Sequence, residues 1–224
     1  MRVKRLNTVR LPFPATLILT ITVDFCSGKM KGLPKAVAKI SQRATFVPMS
    51  NLNEFKGLLS TAEPAELGPG PRAGVESQKV LTARLQAAFA NTELTNERQE
   101  LVRALILLWH DHLDVAHGIA QSIENSDGAF VHAIMHRREP DSGNSAYWFR
   151  RVGRHGAFPE IASRVSDLLR TRGETKLERK LVPDGEWKPV DFVNACERAD
   201  GGEVRVLREV QRVEFEVLLE WFCR

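Results

Sequence analysis

Apolar residues separated alternately by three and four positions recur along this chain, and that spacing constrains its fold more than any other feature. One series runs Leu101, Leu105, Leu108, His112, Val115, Ile119 and Ile123, and another runs Val206, Val210, Val213, Val217, Leu218 and Trp221. Each residue of an α-helix turns by about 100°, so both series collapse onto a single stripe able to pack against a core. The first series predicts one long helix, capped by Thr95 or Asn96 and continuing to about Ile123. The second predicts a closing helix over residues 203–222. Between and before them, shorter helices are expected over 51–59, 76–91, 128–138, 145–152, 159–172 and 190–198. Turn-forming stretches such as "EPAELGPGPRAG", "ENSDG" and "VPDGEWKP" separate them. No strand pattern follows residue 48. The expected fold class is all-α, with antiparallel helical hairpins forming one compact bundle over residues 49–224.

Residues 1–48 do not conform to this pattern. They hold nine Lys/Arg and one acid, while the other residues carry 23 bases against 27 acids, so the net charge of +4 belongs to the start of the chain. A nucleic-acid partner is therefore not expected for the body. The apolar run Leu11–Phe25 contains Pro12, Pro14 and Asp24 and is too short to span a bilayer, so no membrane partner is expected. Residues 1–48 read as a disordered or poorly packed extension, or as an over-long gene start with the working protein beginning at Met49. An export signal is the competing reading. Cys26, Cys196 and Cys223 are an odd, widely spaced set without C-x-x-C, which fits a reducing, cytoplasmic setting rather than a disulfide framework.

Groups able to do chemistry concentrate between residues 104 and 161, where all six histidines lie. On the expected long helix His110, Asp114 and His117 share a face, whereas His112 points into the apolar stripe as a core histidine bonded to a backbone carbonyl. On the next helix His132 and His136 are four apart and stack on one side. If "ENSDG" folds the two helices back on each other, His117 comes level with His132 and Asp114 with His136. His110, Asp114, His117, His132 and His136 then form a site suited to zinc, iron or manganese, with Glu139 near enough to shuttle protons. Solvated or hydrogen-bonded histidines on a polar face are the alternative, because H-E-x-x-H is absent.

A second constellation lies in "HRREPDSGNSAYWFRRVGRH". Arg137, Arg138, Arg150 and Arg151, with Asn144 and Tyr147, present guanidinium forks and an aromatic surface for a small anionic ligand or a protein segment. The competing account is internal, with Glu139 and Asp141 pairing the arginines and Trp148 and Phe149 in the core. The chain carries no G-x-S-x-G, no glycine-rich phosphate loop and no histidine beside Cys196 or Cys223.

The segment "AYWFRRVGRHGAFPEIA" is similar to the second helix and following turn of tetratricopeptide-type repeats, through Ala146, Trp148, Phe149, Arg150, Arg151 and Gly156. No second copy appears at the repeat period, so the likeness does not imply an array. "HAIMHRREPDSGNSAYWFRRVG", "VDFVNACER" and "LREVQRVEFEVLL" together resemble an uncharacterised all-helical family of bacteria and fungi. That resemblance spans about Val80 to Phe222 and implies one body behind a variable start, with no activity attached. Two functions remain open: a binding module for an anion or peptide, and a metal-dependent hydrolytic or oxidative enzyme. A homodimer through Phe215, Trp221 and Phe222 is a further expectation, with core packing as its alternative.

Overall fold

A computed structural model describes residues 49–224; the expectations for residues 1–48 lie outside it. The described chain is all-helical, with α1 (Met49–Leu59), α2 (Gln78–Phe89), α3 (Asn96–Trp109), α4 (Leu113–Gln121) and α5 (Ser126–Arg138) in its first half. Then come α6 (Ser142–Val152), α7 (Phe158–Arg172), α8 (Thr175–Leu181), a 3-10 turn at Pro183–Gly185, α9 (Pro189–Arg198) and α10 (Gly201–Phe222). Among the described residues there is no strand, and no helix is long and apolar enough to cross a membrane.

Local chemistry explains most of the boundaries. Ser77 and Thr95 cap α2 and α3 by accepting the backbone N–H of Val80 and Arg98. Asn125 caps α5 through Gly128 N–H (2.9 Å), and Asp141 caps α6 through Asn144 N–H (3.0 Å). Neither Asp127 nor Ser145 caps its helix. Asp127 instead accepts from His155, Trp221 and Arg98, and Ser145 donates to Ala133 O (2.7 Å). Gly128 is dictated by close approach, since a Cβ there would lie 2.2 Å from Ile123 O and block the turn into α5.

The single long helix expected over 95–123 is divided into α3 and α4 at Asp111, which takes φ 67. Aspartate tolerates this left-handed conformation better than most residues. Here its buried carboxylate also has fixed partners. Oδ2 accepts Arg72 N–H (2.9 Å), and Oδ1 accepts Arg72 Nη1 and Arg138 Nη2, both at 2.6 Å. Arg138 also donates to Glu66 O (3.0 Å), Gly68 O (3.1 Å) and Leu108 O. From α10, Gln211 Nε2 donates to Ala65 O and Glu66 O, each at 3.0 Å. The loop between α1 and α2 is thereby bound across the kink as a strap.

Helix α5 runs through the middle, with every residue from Gly128 to Arg138 buried. Helices α4 and α6 flank it, and α10 closes the core with Leu207, Val210, Leu218 and Phe222. Phe215 and Phe222 are fully buried within the chain, and Trp221 is partly buried against the core.

Candidate metal centre

The six histidines separate into two kinds. His110 accepts Glu76 N–H at Nδ1 (3.1 Å) and donates from Nε2 to Leu58 O (2.8 Å). His112 donates from Nε2 to Glu76 O (2.8 Å), so the two rings hold both polar groups of one peptide residue. His155 accepts Ala157 N–H (3.1 Å) and donates to Asp127 (2.8 Å). Burial alone would raise the Asp127 carboxyl, but the bonds from His155 and Trp221 and the charge of Arg98 hold it below the usual carboxylate range. These three imidazoles join elements together.

The other three face one another. His117 on α4 lies with its ring centroid 4.6 Å from His132 and 5.3 Å from His136, both on α5. His132 and His136, one helical turn apart, stack at 4.8 Å and 22°. One nitrogen from each of the three can be chosen so that all lie within 4.8 Å of one another. Ligands held at 2.0–2.1 Å from a common metal sit about 3.0–3.4 Å apart, so small side-chain rotations would close the site. His132 is 3% exposed, yet neither of its ring nitrogens has a hydrogen-bond partner. An orphaned polar pair of this kind in a folded interior asks for an explanation. Burial, reinforced by His117 and His136, pushes the His132 pKa down to about 4, leaving a neutral ring with a free lone pair at pH 7.

Around this trio, His136 Nδ1 donates to Glu139 Oε2 (2.9 Å), and the Asn144 amide nitrogen lies against the His136 ring, 3.0 Å from Nε2 and 3.4 Å from Nδ1. A carboxylate on the far nitrogen fixes the tautomer and raises the basicity of the near one, as is usual behind ligating histidines. Trp148 lies flat against His132 at 4.0 Å and 26°, and the Arg151 guanidinium covers Trp148 at 5.2 Å.

The expected ligand set is thus corrected at two positions. His110 falls at the end of α3, before the kink, and both its nitrogens are engaged elsewhere. Asp114 lies in the first turn of α4 and is exposed, outside the group formed by His117, His132 and His136. The anion-binding set is corrected more deeply. Arg138 is consumed by Asp111 and the strap, and Arg137 points inward to Glu214 Oε2 (2.6 Å) with its guanidinium 4.3 Å over Phe192. Their partners are thus not Glu139 and Asp141. Asn144 belongs to the histidine trio, and Tyr147, Arg150 and Arg151 are left exposed along α6. Trp148 as a wall of the site went unread in the sequence, although its spacing from Asn144 places both on one side of a helix. Burial pushes the thiols of Cys196 and Cys223 up to about 12, so neither offers a thiolate at neutral pH.

No family model, no curated protein and no solved structure matches the chain. Its class is defined by the fold and the site alone: a helical bundle with three imidazoles gathered against its central helix.

Proposed function

We propose that the protein binds a divalent transition metal through His117, His132 and His136 and uses it for hydrolytic or oxidative chemistry. The observation that carries this reading is His132, a buried neutral imidazole with both nitrogens unpartnered, facing two further imidazoles. Nitrogen donors without thiolate suit zinc, iron, nickel or copper, and three protein ligands leave a position for water or substrate. Such a metal would acidify a bound water, and Glu139, half exposed and joined to His136 Nδ1, would hold that ring in the tautomer whose other nitrogen is free. Elemental analysis of untagged protein is the test. Near-stoichiometric metal is expected, lost in a His117→Ala/His132→Ala double variant that keeps its helical content. A fully folded, metal-free wild type that takes up no zinc or cobalt on titration would overturn the proposal.

A second reading is a non-catalytic module for an anion or peptide on the outer face of α6. It is favoured by Tyr147, which is 47% exposed with the Arg151 guanidinium 6.0 Å from its ring centre. Metal-free folded protein would leave this reading standing alone.

A further inference from the structure

Resting on the metal reading above, we infer that the substrate of this centre is an organic anion. Its reacting group meets the metal, and a carboxylate or phosphate at its far end is held by Arg151. Every arginine from Arg72 to Arg138 is ion-paired to a carboxylate. Arg150 and Arg151, the next two, have no acidic partner among the described residues. Arg151 differs from a freely solvated side chain in being placed. Its guanidinium carbon lies 5.2 Å from the centre of the Trp148 ring and 6.0 Å from that of Tyr147, and these two rings meet at 83°. Aromatic rings attract a guanidinium through its face, while its five N–H groups lie in its plane and point out from the edge. Among the described residues none of those N–H groups is hydrogen-bonded. The result is an oriented fork with its bonding edge unoccupied, the form that takes a carboxylate or phosphate through two parallel bonds.

Trp148 also ties this fork to the histidines. Its ring stacks on His132 at 4.0 Å, so with the further 5.2 Å to Arg151 the guanidinium lies within about 9 Å of that imidazole. His132 and His136 are buried whereas His117 and Trp148 are half-buried, so the centre is approached past the ring that carries Arg151. Trp148 and Arg151 stand three residues apart on one side of α6, and the C-terminal end of that helix favours a cation at Arg151. Metal and guanidinium are thus two positive charges a fixed distance apart along one approach. A neutral substrate would leave the fork to water, and an anion shorter than the gap would reach only one of the two. Binding at the remote end would hold the reacting group against the metal.

Monohydroxamates of the straight-chain dicarboxylic acids from succinic to sebacic measure this gap, because the hydroxamate chelates a metal and the free carboxylate is carried progressively further from it. Binding to the Co²⁺-loaded protein would be read from the visible bands of the metal, for each acid and its methyl ester, in wild type and Arg151→Gln. Arg151 is exposed and makes no hydrogen bond in the fold, so the variant is expected to keep its helical content by circular dichroism. At the chain length that spans the two groups, wild type is expected to bind the acid about 10- to 100-fold more tightly than its ester. In Arg151→Gln that advantage is lost, while acetohydroxamate, which reaches the metal alone, binds as it does to wild type. Acid and ester binding alike at every length, or an advantage that survives Arg151→Gln intact, overturns the inference. So does a cobalt-loaded wild type that binds none of the hydroxamates. A wild type that takes up no Co²⁺ overturns the metal reading itself, which separates the two failures.

Discussion

His132 concentrates the physical tension of the molecule in one side chain. A neutral imidazole buried without partners forgoes its hydrogen bonds to water, which costs about 1–3 kcal/mol relative to an apolar ring of similar shape. Protonating it inside the protein costs more. Its pKa falls from 6.5 to about 4 on folding, so the unfolded chain binds the extra proton through that whole window. Stability from this group is therefore full above pH 6.5 and drains away as pH falls toward 4. At about 1.4 kcal/mol per pH unit, the loss reaches up to about 3 kcal/mol. His132→Phe keeps an aromatic ring against Trp148 and removes the titration. With both proteins metal-free, the variant is expected to be as stable as wild type at pH 7, or about 1 kcal/mol more so, and flatter in stability between pH 6.5 and 4. Urea unfolding at several pH values reads both effects, and a variant as acid-sensitive as wild type would contradict the assignment.

At the scale of elements, α5 decides what the sequence could disclose. His117 and His132 were legible as partners because the "ENSDG" bend fixes which residues of adjacent helices lie level. Arg137 and Arg138 were not. A helix read alone shows which residues share a side, but not that every side is covered, and α5 is buried from Gly128 to Arg138. Its arginines accordingly find Glu214 and Asp111, 77 and 27 residues away, and no local pattern announces such distances. The kink was hidden for a related reason: His112 continues the three-four spacing across Asp111, so the stripe reads through a break that only a backbone angle reveals. Asp111 balances two buried guanidinium groups at once, with side-chain exposures of 0% for itself and Arg138 and 7% for Arg72. Asp111→Ala leaves both cations in the interior without their counter-ion. The expected cost is about 3–5 kcal/mol in denaturant unfolding. A cost below about 1 kcal/mol would show that the backbone carbonyls around Arg138 suffice.

For the whole molecule, a metal held between α4 and α5 binds the native state and not the open chain. At a free concentration one hundred times the dissociation constant it adds about 2.7 kcal/mol. For a chain of this length that is a rise in melting temperature of about 5–10 °C, absent in His117→Ala. Differential scanning with and without added Zn²⁺ reads it directly, and an unchanged midpoint would count against the centre. The strap between α1 and α2 carries a different consequence. Its carbonyls at Ala65, Glu66 and Gly68 are claimed by side chains from two different helices, Arg138 on α5 and Gln211 on α10. A stretch rich in proline and glycine would ordinarily be the first to fray and the first a protease nicks. Here release waits until α5 and α10 separate, so what looks like the loosest thread in the sequence comes undone only with the whole garment.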